Sequence, residues 1–188
     1  MDLFIYTSVL LLLALSLFAI RARFLSFRGQ RPHDYLGLGP DFTFETYLAG
    51  SLLCEGVIFG PTGRVTSRFI AHMDGTWSDE GGELATKFVY DGGAVQERAW
   101  RISYAGCAEG QFHADADDIV GRGRGTIFGP IVQLKYRIIL PEDAGGHRLD
   151  VIDWMYVLDN GTIINRSQFR KFGLLVAELF ATIRKDQT

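Results

Sequence analysis

The residues that usually announce a reaction are few here, and they do not cluster. Only two cysteines occur, Cys54 and Cys107, with no CxxC spacing and no metal-ligand pattern nearby. That leaves either one disulfide or two free thiols. The four histidines lie in separate segments, and no nucleophile elbow, phosphate loop or HExxH is present. A basic excess is missing as well. The net charge is −3 and the arginines are scattered, so a nucleic-acid partner has no electrostatic support. Internal repeats and low-complexity tracts are absent. No cofactor and no catalytic group is expected from these features.

The other absence is local. From Leu3 to Ile20 the chain carries no charge, no proline and no glycine, and these eighteen residues would form a helix of about 27 Å, close to the ~30 Å of a bilayer core. No Lys or Arg precedes the run, and Phe18-Ala19-Ile20-Arg21 is a poor cleavage site. An uncleaved anchor over residues 1–23 is therefore favoured over a cleaved signal or a buried core helix. Arg21, Arg23, Arg28 and Arg31 follow it, and short cytoplasmic flanks are the ones enriched in such residues. This asymmetry places the remaining chain on the cytoplasmic face of a single-pass bacterial inner-membrane protein, with the periplasmic face as the alternative. Residues 24–40 read as a linker.

Beyond it, from about Asp41 to the end at 188, apolar residues recur with period two. Val65, Phe69, Ala71, Met73, Gly75 and Trp77 share one face of a strand, as do Val132, Leu134, Tyr136, Ile138 and Leu140, and likewise Leu175, Ala177, Leu179, Ala181 and Ile183. Turn signals such as Gly60-Pro61-Thr62-Gly63, Asp91-Gly92-Gly93 and Asp159-Asn160-Gly161 separate the runs at short intervals. The reading is mainly β: an antiparallel meander of about nine to ten strands, without a convincing internal helix. Closure into a barrel would remove its edges.

Charges that interrupt apolar faces are the sharpest candidates for a site. Asp153 lies among Leu149, Val151, Met155 and Val157; Arg98 lies with Trp100 and Ile102; Glu55 falls in the series Leu53, Val57, Phe59. A lone buried charge costs several kcal/mol, so such groups pair, fixing strand register, or line a polar patch in a ligand site. His113, Asp115 and Asp117 share one face and read as a cation site or a solvated acidic edge. Asn160-Gly161-Thr162 and Asn165-Arg166-Ser167 match glycosylation acceptors. Gly121-Arg122-Gly123-Arg124-Gly125 reads as a bend between strands.

Taken together, Phe42-Thr43-Phe44-Glu45, Gly75-Thr76-Trp77, Phe88-Val89-Tyr90-Asp91-Gly92, Arg98-Ala99-Trp100, Asp118-Ile119-Val120-Gly121, Asp153-Trp154-Met155-Tyr156, Asn165-Arg166 and Lys171-Phe172-Gly173 resemble the bacterial domain-of-unknown-function family numbered 3833. The family is lipoprotein-like, and it resembles lipocalin-type barrels. The resemblance implies a lipocalin-like or calycin-like barrel in which Arg166 covers Trp77. This chain departs from the lipoprotein members, which start at a lipid-modified cysteine.

The expected function is a non-catalytic, membrane-anchored barrel that binds a lipid or other apolar ligand near the bilayer surface. Arg98, Asp153 and Arg166 are expected to make polar contacts, with Trp77, Trp100 and Trp154 as walls. The partners would be membrane lipid and an apolar small molecule. The alternative is an accessory or assembly subunit of an inner-membrane protein complex.

Overall fold

The computed structural model describes residues 2–186; Met1, Gln187 and Thr188, inside the segments 1–23 and 41–188 assigned from sequence, lie outside the described residues. Residues up to Asp34 form one compact unit and those from Tyr35 a second. The first unit is dominated by helix α1, Asp2–Phe24, which contains one stretch, Leu3–Arg21, long and apolar enough to cross a membrane or to serve as a signal sequence. Its leucines are exposed, as a polypeptide in water avoids unless lipid or another protein covers it. A short 3-10 turn follows at Phe27–Gly29.

The second unit is a closed antiparallel barrel of ten strands. They are β1 (Gly50–Phe59), β2 (Val65–Ser78), β3 (Gly81–Tyr90), β4 (Val95–Ser103), β5 (Gln111–Asp115), β6 (Gly123–Phe128), β7 (Ile131–Ile139), β8 (Arg148–Val157), β9 (Ile163–Lys171) and β10 (Leu174–Lys185). Each strand pairs with its sequence neighbours, and β1 pairs with β10 to close the cylinder. The period-two patterns point their apolar members inward: Phe69, Leu84, Phe112, Val132, Leu134, Ile163 and Ile183 are all buried in one core. Glu55 takes the opposite face. The inward residues of β1 are Leu52 and Cys54, and Glu55 pairs outside with Arg184 at 2.8 Å. Its sequence neighbours of the same parity are only half-covered, so the charge meets no desolvation cost there.

One α-helical turn does occur within the second unit, besides a 3-10 turn at Glu142–Ala144. Residues Phe44–Tyr47 (α2) start at Thr43, whose hydroxyl accepts from the Thr46 N–H at 3.2 Å. The turn drives Phe44 into one end of the barrel, where it stacks on Trp77 (centroids 4.6 Å apart) and meets Phe112 edge-on at 5.1 Å. The Gly75-Thr76-Trp77 triplet holds this plug. A Cβ on Gly75 would stand 1.7 Å from the Leu48 carbonyl oxygen, and the Trp77 indole N–H donates to that same oxygen at 2.8 Å. Glycine is therefore required for a close approach of backbone to strand.

Candidate functional site

Two of the charges singled out in the sequence lie inside the barrel, and both act on a buried tyrosine, Tyr136. Arg98 on β4 is held at 15% side-chain exposure and pairs with Asp118, at 26%, with Nε 2.9 Å from Oδ2. Its Nη2 also donates to Oδ1 at 2.9 Å. The guanidinium lies 4.1 Å from the Trp100 ring centre and 5.5 Å from that of Tyr136, so two aromatic rings supply part of what water would give the cation. The rings themselves meet edge-on at 5.0 Å. Tyr136 is also hydrogen-bonded by Arg98, and burial pushes its hydroxyl up to about 12.

Asp153 on β8 faces the same interior but does not use Arg98 as its counter-ion. It accepts from the amide of Asn165 and, at 2.8 Å, from the hydroxyl of Ser167. Both donors are inward-facing residues of β9. Burial raises the Asp153 pKa; the hydrogen bonds from Ser167 and Asn165, and the more distant charge of Arg98, work against that rise. The Cys54 thiol is also inward-facing, and burial, with Asp153 and Glu55 adding, pushes it up to about 12. At neutral pH it is a small apolar side chain, not a nucleophile. Cys54 and Cys107 are both free thiols. The result is a belt of polar groups inside a largely apolar core, reaching from Asp118 through Arg98 and Tyr136 to Asp153, Ser167 and Asn165.

A cavity of about 650 Å³ adjoins this belt on the β4 side. Its lining includes a register row of inward-facing residues, Leu52, Met73, Thr86 and Arg98, one from each of β1 to β4. It also includes outward-facing His72, Lys87 and Glu97, and Asp117 and Asp118 from the loop after β5. Polar and charged residues outnumber apolar ones in this lining, unlike the wholly apolar wall that a lipid site suggests.

The remaining candidates are placed elsewhere. Trp100 belongs to the belt, but Trp77 anchors the α2 plug. Trp154 and Arg166, which are register partners on β8 and β9, stand on the outer face. Trp154 is 1% exposed there, against Tyr35 and Tyr156 with ring centres 5.7 and 6.0 Å away, and its indole N–H is buried without a hydrogen-bond partner. Arg166 pairs with Glu178 at 2.7 Å and lies 4.8 Å from the Phe180 ring centre. It does not cover Trp77, because odd and even residues of β9 point to opposite sides of the wall and Arg166 has the outward parity.

The cation site suggested at His113, Asp115 and Asp117 does not form. Asp115 pairs with Arg122 at 3.0 Å and Asp117 with Arg101 at 2.6 Å, and no metal-holding group occurs among the described residues. Asn165 is buried in a strand, which removes it as a glycosylation acceptor, whereas Asn160 sits exposed in the β8–β9 turn. Asp118, Tyr136, Asn165 and Ser167 were not singled out from sequence as site residues. Tyr136 and Ser167 have the inward parity of their strands, but Asp118 lies in a loop, where alternation says nothing.

No curated protein matches the sequence. Among solved structures, the chain is similar to a Bacteroides fragilis protein with a YmcC-like fold, at 13% identity and a TM-score of 0.36, over 78% of this chain and 98% of that one. The family pattern is decisive where these are not: it matches residues 22–185, taking in the whole barrel with the plug, the belt and the loop that carries Asp118, and the chain belongs to the DUF3833 family of proteins of unknown function.

Proposed function

We propose that this protein is a membrane-tethered barrel that binds an apolar or amphiphilic molecule, without catalysing a reaction on it. The observation that carries the reading is the polar belt beside the cavity of about 650 Å³. A guanidinium and a carboxylate inside a β core each carry a desolvation cost of several kcal/mol. Three charged groups, Arg98, Asp118 and Asp153, with the neutral Tyr136, Asn165 and Ser167, exceed what strand register requires in a meander whose short turns already set the pairing. A cavity of this size suits one small ligand, with apolar contact from Met73 and orientation from the belt. The α1 helix would hold the barrel at the surface of the inner membrane and raise the local concentration of lipid. The four arginines at 21, 23, 28 and 31 favour the cytoplasmic face.

Native mass spectrometry of the full chain, released gently from membranes, tests this. The expected spectrum shows the protein with a bound lipid-sized mass that an added fluorescent fatty acid displaces. A bare protein that takes up no probe defeats the proposal, and a stoichiometric protein partner in place of lipid would support the accessory-subunit alternative. For the orientation, a C-terminal alkaline phosphatase fusion should be inactive and a green fluorescent fusion bright. The reverse pattern places the barrel on the other side.

A further inference from the structure

The barrel is closed in order, but one of its seams is not closed by backbone. Strand β4 pairs with β5 only through Arg101, Ile102 and Ser103, opposite Asp115, Ala114 and His113. From Val95 to Trp100, β4 has β3 on one side and, among the described residues, no backbone hydrogen bond on the other. At this level β5 and β6 have both ended. The loop between them lies against β7 instead: the Val120 N–H donates to the Arg137 carbonyl at 2.8 Å, and the Ile139 N–H to the Asp118 carbonyl at 2.7 Å. The loop therefore belongs to the β7 side of the seam. Two ion pairs cross from β4 to it, Arg98 with Asp118 and Arg101 with Asp117. The second is exposed, and such pairs contribute little.

We infer that this seam is a lateral portal, and that Asp118 occupies the place of the anionic head of an amphiphile, which enters between β4 and the loop and binds Arg98 with its tail along Met73. The inference rests on the ligand-binding reading above. Two features of the site point to an anion at Arg98. Arg98 is an inward-facing cation, and its planar fork donates to two oxygens of a carboxylate or phosphate as it now faces both oxygens of Asp118. The second buried carboxylate, Asp153, is already satisfied by Asn165 and Ser167, so it does not compete for the guanidinium. The cavity is lined by both members of the Arg98–Asp118 pair, by Gln96 and Thr86 as neutral hydrogen-bonding groups and by Met73, together with Lys87 and the carboxylates of Asp74, Glu97, Asp117 and Asp186.

The test uses the full chain in mild detergent and three probes: dansyl-undecanoic acid, its methyl ester and a dansyl-labelled phosphatidic acid. The acid should bind about tenfold or more tighter than the ester, the difference a charge-assisted hydrogen-bonded pair supplies. The phosphatidic acid tells whether phosphate serves as well as carboxylate, and displacement by inorganic phosphate alone would mark a free-anion site instead of an amphiphile site, overturning the inference. Arg98→Met should equalise acid and ester. Asp118→Asn, which keeps the guanidinium and removes its competitor, should tighten the acid several-fold and leave the ester where it was. A disulfide between Ala99→Cys and Asp117→Cys, across the seam, should slow acid binding at least tenfold, with reduction restoring the rate. Equal affinities for acid and ester in the unmodified chain, or no gain with Asp118→Asn in a folded protein, overturn the inference while the ligand reading stands. If neither probe binds, both fall. If the bridged protein binds as fast as the open one, the portal is elsewhere.

Discussion

Replacing Asp118 should destabilise this barrel more than its position in a surface loop suggests. Asp118 is the bidentate partner of a guanidinium that is only 15% exposed. Two unit charges about 4 Å apart attract by roughly 4 kcal/mol at an effective dielectric of 20. Most of that is spent on desolvation while the pair is intact. Removing one partner leaves the cost without the attraction, typically about 3–5 kcal/mol for a fully buried pair. Here water reaches part of Asp118, and Trp100 and Tyr136 still face the cation, so we expect about 2–4 kcal/mol for Asp118→Leu. Arg98→Met should cost a similar amount. The double variant should be better than the sum of the singles by about 2 kcal/mol, because both charges leave together. Arg98 with Asp153 should couple by less than about 1 kcal/mol, since Asp153 draws its hydrogen bonds from Asn165 and Ser167. Urea unfolding of the full chain in mild detergent, followed by tryptophan fluorescence, measures all of these. A coupling of Arg98 to Asp153 that equals or exceeds the coupling to Asp118 would refute the assignment of the counter-ion.

Gly75→Ala should displace the plug, since its new methyl would overlap the Leu48 carbonyl; losing the burial of Phe44 and Leu48 corresponds to about 3–6 kcal/mol, read as a lower urea midpoint. Trp77→Phe keeps the ring stack but strands that carbonyl, at about 1–3 kcal/mol. Burial raises the Asp153 pKa, so the native state holds its proton to higher pH than the unfolded chain. Stability should therefore fall as pH rises from the ordinary carboxylate range through that raised value, then level off; Asp153→Asn should flatten the interval, and an unchanged profile would show that Asp153 is not the group responsible. A thiol reagent at neutral pH should modify Cys107 in the folded protein and reach Cys54, pushed up to about 12 by burial, only after denaturant is added; rapid reaction at both would contradict the inward placement of Cys54.

Much of this architecture was legible in residue order because the information is local. Eighteen uncharged residues from Leu3 to Ile20 suffice for a membrane-length helix. Period-two alternation with short polar turns suffices for an antiparallel meander, and a meander of ten strands removes its edges by closing. Alternation also placed Arg98 and Asp153 on inner faces correctly. It misplaced Glu55, because a half-exposed strand can carry apolar residues on both sides, and it could not tell that Arg166 has the outward parity of its strand, since its role came from likeness and not from counting. The partners were beyond reach for a different reason. Which carboxylate meets Arg98 depends on where β5 and β6 end and how the loop between them crosses to β7, a matter of three-dimensional closure with no periodic signature. The same holds for the plug: Gly75 and Trp77 announce a close contact, but only the folded barrel brings the Leu48 carbonyl to them.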